Sequence, residues 1–146
     1  MICKGGHNKN YFISLEINIQ SCYVVFRNFM PLVKIQYPPG INLDSFDELS
    51  DQVSKEVSSI LNKSIDYVMV IFDKSNFQSF GGDSKAISLY IEVKNVGELS
   101  ADITKKLSES LTHLFSNISD IDPKRIYIEF SRSERYMWGW NGNTFA

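Results

Sequence analysis

The sequence predicts an α/β chain of the two-layer α+β kind: two β-α-β repeats that form a four-stranded sheet with two helices on one face. Two long stretches carry apolar residues at helical spacing, and each is flanked by short stretches with strand character. The order strand, helix, strand runs twice after Met30. The halves also share sequence, because "LNKSIDYVMVIF" after the first helix is similar to "DIDPKRIYIEF" after the second, each with a basic residue shortly before a tyrosine expected to open a strand. A chain of 146 residues is one domain's worth, long enough to bury a single core without staples.

Each element has its own signal. In "RNFMPLVKIQY" (27–37) Val33, Ile35 and Tyr37 alternate with polar Lys34 and Gln36, which predicts a strand directly behind Met30-Pro31. Residues Asp44 to Leu61 place Phe46, Leu49, Val53, Val57 and Ile60 three or four apart, with Ser45 and Glu48 set as a capping box, and predict a helix. "DYVMVIFDK" (66–74) predicts a strand, and Gly81-Gly82 in "FGGDS" predicts a turn. "AISLYIEVK" (86–94) predicts the third strand. "ADITKKLSESLTHLFSNIS" predicts the second helix, with Ile103, Leu107, Leu111, Leu114 and Ile118 on one face, and "RIYIEFS" (125–131) the fourth strand.

Right-handed crossovers of this kind set both helices on one side of the sheet. The 66–74 strand carries Tyr67, Met69 and Ile71 on one face and Val68, Val70 and Phe72 on the other. Two helices cover only one face, so the other is expected to be buried by a second copy of the chain.

Composition removes several classes of function. A net charge of −2 supplies no electrostatic reason for a nucleic acid or an anionic membrane as partner. Both cysteines, Cys3 and Cys22, precede Met30, so the remainder has no disulfide framework or cysteine metal site, and its single histidine, His113, argues against a histidine-cluster metal centre. Residues 1–29 lack the continuous apolar run of a signal peptide or a membrane span. "FISLEINIQ" within them alternates as a strand would. Three origins stay open for this extension: translated sequence upstream of the true start, a genuine extension of the 30–146 domain, or a segment removed later.

With "MPLVKIQY", "NKSIDYVMV", "SFGGDS", "NVGELS", "DPKRIYIEF" and "GWNGNTFA" in this order, residues 30–146 resemble the macrophage migration inhibitory factor family of the tautomerase superfamily. The resemblance implies a homotrimer whose sheets surround a central channel. It also implies cofactor-free keto-enol tautomerase activity on phenylpyruvate-like or dopachrome-like compounds and, in animals, a cytokine role. Such a protein is expected in the cytoplasm, or secreted without a signal peptide.

Tautomerising an α-keto acid needs a base beside the carbonyl, a donor for the enol oxygen and a cation for the carboxylate. The resemblance makes Pro31 the catalytic base, which requires its nitrogen to be a free secondary amine. Inside a peptide bond that nitrogen has no basic lone pair, and Pro31 would then only start a strand. Lys63 matches the carboxylate-binding lysine; alone it would also serve as a cation at a helix C-terminus. Tyr127 matches a tyrosine that reaches the pocket from the neighbouring subunit, and Val96 a position whose backbone N–H helps hold substrate. Tyr67, Trp140 and Phe145 match an aromatic rim, although such residues commonly pack in cores.

Three departures stand out. Glu129 occupies a position where animal members usually have asparagine, and its carboxylate would repel an anionic substrate unless Lys63 or Arg125 neutralised it. Trp138 is bulkier than the usual aliphatic residue at the pocket mouth. The Cys-x-x-Cys that some members carry at the third strand is absent from "AISLY", which excludes thiol oxidoreductase chemistry there. Two functions follow from the resemblance: an enzyme, or a cytokine-like ligand that shows the same trimer to a receptor protein and keeps the pocket as a relic.

Overall fold

Alternation behind Pro31 decides where the sheet begins. In the computed structural model, which describes residues 30–41, 43 and 45–146, strand β1 spans Pro31–Tyr37 and buries Pro31, Val33, Ile35 and Tyr37. Helix α1 (Phe46–Leu61) starts where the Ser45 hydroxyl accepts the Glu48 N–H at 3.2 Å, the serine half of the expected capping box. Leu49, Val53 and Val57 form its buried stripe. Phe46 stays exposed at its head, its ring 5.1 Å from Phe72 and 6.0 Å from Tyr37. Asp44, expected to open this helix, and the strand expected in "FISLEINIQ" lie outside the described residues.

Strand β2 (Met69–Lys74) is shorter than expected, because Ile65–Tyr67 form a 3₁₀ turn. The Ser64 side chain accepts the Asp66 N–H, offering the backbone a local partner in place of a strand ladder. Tyr67 therefore closes a turn and does not open a strand. A matching 3₁₀ turn, Pro123–Arg125, capped by Asp122, precedes strand β4 (Ile126–Ser133), so Arg125 also falls outside its strand.

Strand β3 (Leu89–Val96) begins later than expected because Arg125 claims the backbone ahead of it. Its Nε donates to Ile87 O at 2.9 Å, and Nη2 donates to Ala86 O at 2.9 Å and Asp83 O at 3.1 Å. The preceding loop reverses at Gly81-Gly82, with φ of 62° and 82°, where Phe80 and Asp83 exchange two backbone hydrogen bonds. Helix α2 has the expected bounds, Ala101–Ser119, capped by the Ser100 side chain on Ile103 N–H, but Phe115, not expected on its apolar face, is buried. Its buried stripe is Leu107, Leu111 and Phe115, and Ile118 is exposed.

The sheet order is β2-β1-β3-β4. Each β-α-β unit pairs its own strands in parallel, and the two units meet antiparallel across β1 and β3. Both helices pack on one face, over Val33, Ile35, Ile91 and Val93. The opposite face is not the uniformly apolar surface that β2 alone implied. Beside Met69 and Ile71 its neighbours set Lys34, Gln36, Glu92 and Lys94, with Lys34 paired to Asp73 at 2.9 Å and Lys94 to Glu92 at 3.2 Å.

The chain ends in a hairpin of β5 (Gly139–Trp140) and β6 (Asn143–Thr144). Asn141 and Gly142 turn it with φ of 51° and 76°, as an Asn-Gly pair favours. Among the described residues no helix is long and apolar enough to cross a membrane.

Candidate active site

Pro31 and Asn95 are partners in the β1–β3 ladder, so the start of the first strand meets the end of the third. Helix α1 delivers Lys63 to the same place. The helix stops at Asn62 in the left-handed region, φ 52°, and the Lys63 N–H reaches back to Ser58 O at 3.0 Å. This ending satisfies a terminal carbonyl and turns the chain out of the helix. The Lys63 ammonium then donates to Asn95 Oδ1 at 2.6 Å and to Val96 O at 3.0 Å. Its charge is thereby directed to the end of β3 instead of the last carbonyls of the helix. Burial disfavours that charge and pulls the Lys63 pKa down from 10.5 to about 8.

The aromatic residues gather at this end as well. Tyr67 precedes β2, whose Met69 pairs with Leu32, next to Pro31. The Trp140 ring meets Tyr67 edge-on at 5.8 Å and stacks on Phe145 at 6.5 Å. Arg135 Nε donates to Phe145 O at 2.8 Å, and Phe145 N–H donates to Trp138 O at 3.2 Å, which fixes the tail. Val96 is buried, and its carbonyl is one of the lysine's acceptors.

Tyr127 and Glu129 stand apart. Tyr127 pairs with Tyr90, five residues along β3 from Asn95, or roughly 17 Å at strand rise. The alternation also places Tyr127 and Glu129 on the sheet face opposite Pro31. Tyr127 is 64% exposed, with its ring 4.8 Å from Phe80 at a cavity of about 340 Å³ that Gln78 and Tyr90 also line. Glu129 accepts a short hydrogen bond from the Tyr90 hydroxyl, which pushes the Tyr90 pKa up to about 12. Its partner is therefore Tyr90. The Arg125 guanidinium is committed to the three loop carbonyls and lies 5.3 Å over the Phe80 ring.

Asn95 was missed by sequence reasoning. It is 2% exposed, and its Nδ2 donates to Gly97 O at 3.1 Å and Glu98 O at 3.5 Å. The available signal was a polar residue in the core-facing series Leu89, Ile91, Val93, Asn95.

Paired β-α-β units joined antiparallel into a mixed sheet, under two helices, define a tautomerase-superfamily fold. The chain belongs to the macrophage migration inhibitory factor family, whose sequence profile matches residues 30–146. Macrophage migration inhibitory factor of Xenopus tropicalis is 26% identical over 100 residues, covering 68% of this chain and 86% of the relative. The structure of a homologue from Prochlorococcus marinus is similar with a TM-score of 0.72 at 30% identity, covering 79% of this chain and 99% of that one. The Toxoplasma gondii factor has the same fold, with a TM-score of 0.72 at 24% identity over 78% of this chain and 99% of that one.

Proposed function

We propose that the chain from Pro31 onward is a cofactor-free keto-enol tautomerase of phenylpyruvate-like or dopachrome-like substrates, acting as a homotrimer in the cytoplasm or after export without a signal peptide. The observation that carries this reading is the Lys63 ammonium, held by Asn95 and Val96 at the Pro31 end of the sheet. A free Pro31 amine takes the proton from the carbon beside the substrate carbonyl and returns it to the other end of the enol system. Lys63 pairs with the carboxylate, the Val96 N–H helps hold the substrate, and Tyr67, Trp138, Trp140 and Phe145 wall its ring. Tyr127 and Glu129 belong to the same pocket only when a neighbouring copy supplies them, since their own Pro31 is at the far end of the sheet. A fused 4-OT of the same fold, 16% identical with a TM-score of 0.69, is a symmetric trimer, which supports the trimer in this reading.

The chemistry requires residues 1–29 and Met30 to be absent from the active form. The start of the family match at residue 30 supports that boundary. The test compares phenylpyruvate tautomerisation by the full chain and by protein begun at Met30, from which the initiating methionine can be trimmed ahead of small Pro31. The trimmed form should be faster by about 10²- to 10⁴-fold, the usual worth of a general base, and Pro31→Gly in that form should keep partial activity through a primary amine. Equal rates from full-length and trimmed protein would remove Pro31 as the base.

A further inference from the structure

We infer that Asn95 is a positioning residue whose side-chain carbonyl fixes the Lys63 ammonium opposite Pro31 and so sets how tightly the site holds a carboxylate. The ligand in this inference rests on the tautomerase reading; the Asn95–Lys63 geometry does not. An amide at a core-facing strand position is costly unless its polar atoms are all matched. Asn95 follows Leu89, Ile91 and Val93, each at most 1% exposed, and is itself 2% exposed. Its atoms are matched with a division of labour. Oδ1 accepts from the ammonium, while Nδ2 donates to Gly97 O and Glu98 O. The orientation of the amide follows from the partners, because an ammonium offers only donors and the two backbone carbonyls only acceptors.

One side chain therefore ties three things together: the cation, the turn after β3, and the strand position paired with Pro31. An aliphatic residue could fill the same volume, but it would leave Lys63 without its 2.6 Å acceptor and the turn carbonyls without their donor. The amide makes the lysine's placement a property of the sheet, so that the charge sits at a set position relative to the strand that begins with Pro31.

The test is a double-mutant cycle on the full chain and on the chain begun at Met30, read by calorimetric binding of phenylglyoxylate, an aryl α-keto acid with no proton to lose beside its carbonyl. Asn95→Ala should weaken binding about tenfold, in line with losing a hydrogen bond to a charged group. Lys63→Ala should weaken it at least as much, and the double variant no further than Lys63→Ala alone. Asn95→Ser, which keeps a small hydroxyl acceptor, should fall between parent and Asn95→Ala and serves where the alanine variant fails to fold. Additive losses, or Asn95 variants that bind like the parent, would overturn the inference. The Lys63 Cε carbon shift, followed through a pH titration without ligand, reads the same link independently. Its midpoint should move in the Asn95 variants, and an unmoved midpoint would also overturn the inference. A parent protein that bound no phenylglyoxylate would defeat the carboxylate site of the proposed function, while the Lys63 titration would still decide the role of Asn95.

Discussion

The lowered Lys63 pKa predicts a particular pH dependence for carboxylate binding. With a pKa of about 8, about nine-tenths of Lys63 is charged at pH 7, half at pH 8 and about one-tenth at pH 9. If the charged form alone clamps the carboxylate, the Kd for phenylglyoxylate should roughly double between pH 7 and 8 and rise about tenfold by pH 9. A lysine at its ordinary 10.5 would give almost no change over that range. Lys63→Arg should flatten the profile, because a guanidinium stays charged throughout. This control also separates Lys63 from a titrating Pro31 amine, which would keep its slope in the arginine variant. Unfolding does not imitate the effect. From about pH 8 to 10.5 the unfolded chain binds more protons at this lysine than the folded chain, so its contribution to stability rises with pH while binding falls. Calorimetry in constant-ionization buffers gives the Kd values, and a Kd constant from pH 7 to 9 in the parent would refute a carboxylate clamp that loses its charge near pH 8, while a parent-like Kd in Lys63→Ala would refute the clamp itself.

Three further outcomes follow from the geometry. Deleting residues 137–146 should remove Trp140 and Phe145 from Tyr67 and loosen assembly and pocket together; light scattering and a tautomerase assay on the same samples would show one lost without the other if the tail serves only one role. Arg125→Ala should lower unfolding stability by about 1.5 to 3 kcal/mol, as expected for a partly buried cation that hydrogen-bonds backbone carbonyls, and an unchanged urea midpoint would show that the 83–87 loop holds without it. Glu129→Gln should bring the Tyr90 pKa down from about 12 toward 10, since the Glu129 carboxylate is the main cause of its rise; ultraviolet titration of tyrosinate would detect no shift if that bond does not persist in solution.

The sequence carried the fold where signals were local and lost it where distant side chains intervened. Helix α2 was legible from end to end because its apolar residues recur at helical spacing. The start of β3 was not, because the carbonyls of Ala86 and Ile87 are taken by Arg125, 39 and 38 residues away. Tyr67 was misplaced by a single side-chain contact, Ser64 to the Asp66 N–H, that favours a turn over an extended strand. At the candidate site, Lys63 was visible through motif resemblance, whereas Asn95 showed only as a break in a strand's apolar alternation. The partner of Glu129 was not legible because cross-strand neighbours depend on register: Tyr90 is beside Tyr127, and from there its hydroxyl reaches Glu129.

Register also decides what one chain can do by itself. Because β1 runs antiparallel to β3 while β4 runs parallel to it, Pro31 aligns with the end of β3 and Tyr127 with its beginning. No side-chain rotation spans roughly 17 Å of strand, and the two residues also face opposite sides of the sheet. Under the proposed reading, an isolated chain holds the base, the carboxylate clamp and the aromatic wall at one end, and the phenol donor at the other. Closing the pocket then requires a second copy whose β4 edge lies against the Pro31 end of the first. Dilution below the assembly threshold should therefore lower specific activity in step with loss of the oligomer, while the Lys63–Asn95 contact, which lies within one chain, should survive in the monomer. Analytical ultracentrifugation beside activity at matched concentrations measures the first, and the Lys63 Cε titration the second. Full specific activity in a demonstrated monomer would show that Tyr127 takes no part in the reaction.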